Sequence, residues 1–155
     1  MKKIFLVFTT LLYLLTSCED DDFCDDPTTP RLIIEFYDKE DPTTRKQVPI
    51  YAWADQKDSI YQLVLTDSIL LPLNTQSTST KYKLSTTNDV ETLDLTYTTS
   101  DVFISEGCGY IAHFNDFGAN LEPIIDPELE SWIDRIEVNV TKIENETETH
   151  IKVYH

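Results

Sequence analysis

Thr92-Leu93-Asp94-Leu95-Thr96-Tyr97 sets apolar Leu93, Leu95 and Tyr97 against polar Thr92, Asp94 and Thr96. Successive side chains of a strand point to opposite faces, so a period of two marks a strand with one face buried and one wet. The pattern recurs far upstream, where Leu32, Ile34 and Phe36 alternate with Arg31, Glu35 and Tyr37. It recurs downstream, where Ile136, Val138 and Val140 alternate with Glu137, Asn139 and Thr141. Further candidates are Val48 to Ala54, Ile60 to Thr66, Ser68 to Leu73, Lys81 to Ser85, Val102 to Ser105, Tyr110 to Phe114 and His150 to Tyr154.

Polar turn clusters separate these segments at residues 41–44, 74–79, 87–89 and 145–148. Short strands broken at near-regular spacing predict an all-β fold: a single antiparallel β-sandwich, immunoglobulin-like or similar, of about 8–10 short strands. The one helical signal is Asp126-Pro127-Glu128-Leu129-Glu130, where an Asp cap and a Pro at the first helical position start a single turn. Phe117 to Ile125 reads as a long connection with apolar side chains, either packed over one end of the sandwich or edging a partner site.

The N-terminus has a different character. Lys2 and Lys3 precede an apolar run from Ile4 to Leu15, which ends in Leu15-Thr16-Ser17-Cys18. As a helix this run spans about 18 Å, short of the roughly 30 Å hydrocarbon core, so it reads as an export signal and not as a permanent membrane span. Its last four residues resemble a bacterial lipobox, which implies cleavage after residue 17 and acylation of Cys18. The expected organisation is a signal peptide over 1–17, a lipidated Cys and acidic tether over 18–29, and a β-sandwich domain over 30–155.

Residues 19–26 hold six carboxylates, which suit a self-repelling tether, or an address for surface export, or, with less of the required spacing, a calcium ligand set. With Cys18 acylated, Cys24 and Cys108 remain in an oxidising compartment. A bridge between them would close about 85 residues, worth at most roughly 4 to 5 kcal/mol by chain entropy. Two buried thiols or intermolecular pairing are the alternatives.

The chain's 155 residues carry 28 acidic and 12 basic side chains, a net charge of −16. That excess opposes nucleic-acid binding, which requires cations to displace phosphate counterions. The length suits one ordinary domain with a real core, too small for a two-domain dinucleotide enzyme or a (β/α)8 barrel. No nucleophile elbow, zinc-protease helix, phosphate loop or dinucleotide fingerprint is present, and the spacing of Cys and His matches no metal site. We therefore expect no catalytic residue, cofactor or metal. His113, on the face opposite Tyr110, Ala112 and Phe114, reads as solvent-facing or singly hydrogen-bonded; His150 and His155, flanking the last strand, read as surface residues. Glu35 and Glu137 read as solvated charges on wet faces.

Tyr51 and Trp53 fall on the strand face opposite Ile50 and Ala52. They are the candidate ligand-contacting aromatics, suited to stacking on a sugar or anchoring a protein, or else rings that cover the sheet surface. Ser105-Glu106-Gly107-Cys108-Gly109-Tyr110 reads as a break between strands that aims Cys108. Asp58-Ser59-Ile60 and Asp67-Ser68-Ile69 resemble the acceptor tripeptide of Bacteroidota O-glycosylation, though chance supplies about as many matches.

The run from Cys18 to Phe36, the Val102 to Asn115 segment and the closing Trp132-Ile133 and His150 to Tyr154 pieces resemble a family of small Bacteroidota lipoproteins of unknown function. Pro30 to Tyr37 and Cys108-Gly109-Tyr110 carry most of that likeness. The resemblance supports the lipid anchor, the Cys pair and the single β domain, and brings no substrate or catalytic residue. The expected protein is a lipid-anchored outer-membrane lipoprotein, periplasmic-facing or surface-exposed. It would be a non-enzymatic module binding an envelope or outer-membrane protein, with a carbohydrate-binding or adhesive module as the alternative.

Overall fold

The computed structural model describes residues 28–87, 89–123 and 130–155. The signal segment, Cys18, Cys24, the acidic run and Asp126 to Leu129 of the expected helical turn lie outside the described residues. Ten strands follow in chain order: β1 (Leu32–Tyr37), β2 (Val48–Ala54), β3 (Ser59–Thr66), β4 (Ser68–Leu71), β5 (Ser79–Ser85), β6 (Val90–Ser105), β7 (Gly109–Leu121), β8 (Arg135–Val138), β9 (Lys142–Ile143) and β10 (Ile151–Tyr154). Among the described residues there is no helix.

The strands form a four-stranded sheet, ordered β4-β1-β10-β8, and a six-stranded sheet, ordered β3-β2-β5-β6-β7-β9. Both sheets feed one core: Leu32, Ile34, Phe36, Ile69, Ile151 and Val153 from the first, and Ile50, Ala52, Leu84, Leu93, Leu95 and Phe114 from the second. All twelve are buried, each larger side chain contributing about 1.5–3 kcal/mol of transfer free energy. This is the expected all-β sandwich. Tyr97 meets Phe114 edge-on at 5.0 Å, and Tyr82, buried, donates its hydroxyl to the Pro72 carbonyl at 2.6 Å. Burial pushes the Tyr82 phenol up to about 12.

Four details depart from the expectation. The β1–β10 pair is parallel, with Ile34 opposite Ile151 and Phe36 opposite Val153; the more than one hundred residues between them leave the direction free, since only a tight turn forces antiparallel pairing. The strands are not all short. Thr92 to Tyr97 and Val102 to Ser105 belong to one 16-residue strand, β6, and β7 runs on to Leu121, so Phe117 to Leu121 is strand and not connection. β6 loses its burial alternation after Tyr97, where the backbone ladder continues without a core face to fill. In β7 the buried positions Phe114 and Phe117 are three apart, with Asp116 between them at φ 52°, the signature of a bulge that resets the alternation.

Among the described residues, Phe103–Tyr110 separates as a compact unit from Pro27–Val102 with Ile111–His155, which holds the core.

Candidate functional site

The sequence of β2 dictates its two faces. Val48, Ile50 and Ala52 are buried, leaving Pro49, Tyr51 and Trp53 on the outer face, the last two half-buried. Tyr51 pairs with Ser85 on β5, while Trp53 lies between Lys83 on β5 and Ser59 on β3. These two rings floor an open depression rimmed by Lys57, Asp58, Ser59, Ser85 and Thr87. Lys57 and Asp58 come from the β2–β3 turn, where Gln56 takes a left-handed φ of 58° and Lys57 N–H closes on the Ala54 carbonyl at 3.1 Å. The structure thus brings Tyr51 and Trp53 to one face and surrounds them with a cation, a carboxylate and hydroxyls.

β3, beside them, is an edge strand. Its register against β2 runs regularly from Val48↔Thr66 to Ile50↔Val64, then shifts twice before Trp53↔Ser59. Each shift adds one residue to β3, and Leu63 sits at φ 55° within the first. The extra residues break the inward-outward alternation, so Ile60, Leu63, Val64 and Leu65 are all exposed, Leu65 to 63%. Leu65 faces Pro49 and therefore shares the outer face of Tyr51 and Trp53. The segment Ser59 to Thr66 contains no charged residue. Ile60 to Thr66 is the strand its sequence predicts, but its four apolar residues in six, without period or charge, lie exposed along an edge that alternation alone does not reveal.

The outer face of the small sheet carries charge and aromatic rings; Glu137 is exposed there as expected, while Glu35 corrects its expectation. Glu35 is not solvated but 6% exposed, paired with Arg45, and accepts the Tyr37 hydroxyl at 2.8 Å. Burial alone would raise its carboxyl; hydrogen bonds from Thr149 and Tyr37, with the Arg45 charge, outweigh that and hold it below the ordinary range. Arg45 reaches Glu35 because its backbone bridges to Tyr37 at the end of the 41–44 turn. Glu35, Lys152 and Glu137 occupy one row across β1, β10 and β8, so a cation stands between the two carboxylates. Glu137 accepts the Tyr154 hydroxyl at 2.8 Å, and the Arg135 guanidinium lies 3.7 Å over the Tyr154 ring. These groups satisfy one another.

His150 is not a surface residue either. It is 1% exposed, because its ring sits where the β1–β10 pairing begins and accepts the Ile33 N–H at Nδ1. The His155 ring is half-buried, edge-on to Phe36 at 6.2 Å and to Trp132 at 5.9 Å. His113 keeps the expected outward face, with Nδ1 3.4 Å from the Glu144 carboxylate. Ser59 rims the depression, while Ser68 is bound locally to the Thr66 hydroxyl through its own N–H at 3.2 Å and its carbonyl at 2.8 Å. Cys108 lies in the β6–β7 turn, its N–H donating to Ser105 Oγ at 3.1 Å. Among the described residues no group of three or more His, Cys, Asp or Glu side chains is placed to hold a metal ion. Among them, too, no helix is long and apolar enough to cross a membrane.

No curated protein and no solved structure matches the chain. Residues 47–155, from the threshold of β2 to the end of β10, match a family model described as a family of unknown function, DUF6452. The match covers well over half of the sequence, and the chain belongs to that family.

Proposed function

We propose that this protein is a lipid-anchored cell-envelope module, acylated at Cys18 and bridged between Cys24 and Cys108, whose sandwich receives a protein partner along the β3 edge and performs no catalysis. The observation that carries this reading is β3 itself: an edge strand with four exposed apolar side chains and no charge, in a chain of net charge −16. Exposed edges are ordinarily blunted by charge or proline, and an uncharged apolar one is the form used to pair with a partner's strand. The anchor follows from the lipobox-like Leu15 to Cys18, and an outer-membrane site, facing the periplasm or the cell surface, from the acidic run behind it.

A photo-crosslinking residue at Leu65, in native membranes, is expected to capture one reproducible envelope protein, while the same residue at Thr98 on the wet face of β6 captures none. Recovery of uncrosslinked monomer alone from both positions overturns the reading. A carbohydrate ligand is the second reading, favoured by the polar rim around Tyr51 and Trp53. It predicts glycan-array binding that the double Tyr51→Ala/Trp53→Ala variant abolishes; unchanged or absent binding removes it.

A further inference from the structure

The hairpin between β6 and β7 carries an aromatic pair that nothing above uses. Phe103 is 55% exposed and Tyr110 69%, and their rings meet at 5.3 Å with an interplanar angle of 62°. The turn between them is tight: Cys108 N–H is held by Ser105 Oγ, and Gly109 takes φ +70°, a conformation that glycine adopts without steric cost. Phe103 to Tyr110 holds a single charged residue, Glu106. Two large rings left in water on one hairpin mark a contact surface.

The path of the chain indicates what that surface meets. Thr29, near the first described residue, accepts the Ala112 N–H on its hydroxyl at 3.0 Å. Ala112 is two residues along β7 from Tyr110, so covalent geometry keeps the two Cα atoms within about 7 Å of each other. From Thr29 back to Cys18 the chain spans at most roughly 38 Å fully extended; a Cys24–Cys108 bridge would shorten the span from Cys18 to the hairpin to about 26 Å. A membrane holding Cys18 is therefore within reach of the hairpin.

We propose that the Phe103–Tyr110 pair docks into the headgroup region of the bilayer that holds the lipidated Cys18. The inference rests on the lipid-anchor reading given above. Amphipathic rings partition to the membrane interface, with a phenol hydroxyl among the headgroups, and a second weak contact fixes the orientation of a protein already anchored by acyl chains. With Glu106 as its one charge, the hairpin meets little repulsion from anionic lipid.

The test uses the acylated mature chain in liposomes of phosphatidylethanolamine and phosphatidylglycerol, with Phe103→Trp compared against the parent protein, whose Trp53 and Trp132 supply the background. Flotation and the intact mass come first: a chain that does not float or lacks acyl chains sinks the anchor reading and this inference with it. With flotation established, the added Trp emission is expected to be blue-shifted and quenched about twofold or more by lipids brominated near the headgroup. Added emission that is red and unquenched in floating protein overturns the docking while leaving the anchor intact. Tyr110→Trp provides the same readout if Phe103→Trp fails to fold by near-ultraviolet circular dichroism. A photo-crosslinker at residue 103 that captures a protein in native membranes, with no lipid quenching, assigns the hairpin to that partner and overturns the inference.

Discussion

Ile33 donates its backbone N–H to Nδ1 of His150 at 2.9 Å and accepts the backbone N–H of His150 at 3.2 Å. A side chain thus substitutes for a carbonyl in the first rung between β1 and β10, and the ring also hydrogen-bonds the Asn145 backbone. Burial holds the imidazole below its ordinary value, so the folded state binds its proton less well than the unfolded chain does. The stabilisation from this site is complete above the unfolded value of about 6.5 and is lost as pH falls below it. Urea denaturation of the parent protein at pH 7.5 and 5.5 should show lower stability at the acid value, and His150→Leu should shrink that difference while costing about 1–3 kcal/mol at pH 7.5. A His150→Leu protein with the parent's pH dependence would contradict this.

Glu35 provides a second acid-sensitive site with a different window. Its depressed carboxyl stabilises the fold above the unfolded value near 4.3, and that contribution disappears as pH drops through the lower folded value. Arg45→Met leaves the buried carboxylate with hydrogen bonds alone and is expected to cost about 1–3 kcal/mol, discounted for the half-exposed guanidinium. The paired Glu35→Met/Arg45→Met variant should recover most of the loss. Thermal melts of the three proteins decide it, and an Arg45→Met melt equal to the parent's would show that the pair contributes nothing.

Leu63 holds a left-handed backbone that a branched apolar residue adopts at a cost of about 1 kcal/mol. Asn tolerates that conformation, so Leu63→Asn should be neutral or stabilising by up to about 1 kcal/mol in chemical denaturation. The same variant should weaken capture by the Leu65 crosslinker, because it removes one of the apolar side chains of β3. Destabilisation by more than about 1 kcal/mol would mean that Leu63 packs in the folded state more than its exposure indicates.

Tyr82 makes the alkaline limit of the fold. With its phenol raised to about 12, the buried hydroxyl stabilises the native state up to the unfolded value near 10 and loses that effect as pH rises through about 12. Tyr82→Phe leaves the Pro72 carbonyl without its donor and should cost about 1 kcal/mol at neutral pH. It should also flatten the fall in stability between pH 10 and 12. Ultraviolet titration would count one fewer late-ionising tyrosine, and an unchanged late step would assign that ionisation elsewhere.

The parts of the fold legible in sequence are those where one face meets the core along the whole strand. β1, β2 and the first half of β6 show this alternation, and Tyr51 and Trp53 lie opposite Ile50 and Ala52 as the pattern requires. Burial on the far face of a strand is set by other segments: Glu35 is covered because Arg45 and Thr149 come to it, and no local pattern records that. Strand direction escapes for the same reason, since β1 and β10 are joined by no turn whose chemistry could be read. β3 is legible as a strand over Ile60 to Thr66, but its edge position and its exposed apolar side chains are not, because the bulges scramble its alternation. After Tyr97, β6 mixes exposed and half-buried positions without alternation, so its continuity with Val102 to Ser105 leaves no period to read.

The parallel pairing of β1 with β10 places the earliest described strand and the latest one side by side in the middle of the four-stranded sheet. While the polypeptide is being synthesised or threaded, β1 has only β4 beside it, and β8 has nothing to pair with until residues 151–154 arrive. The small sheet therefore closes in a single late event that waits for the last few residues, and a chain interrupted anywhere before Ile151 keeps an open hydrophobic seam. Such long-range closure makes folding slow, because the loop entropy must be lost before the pairing rewards it.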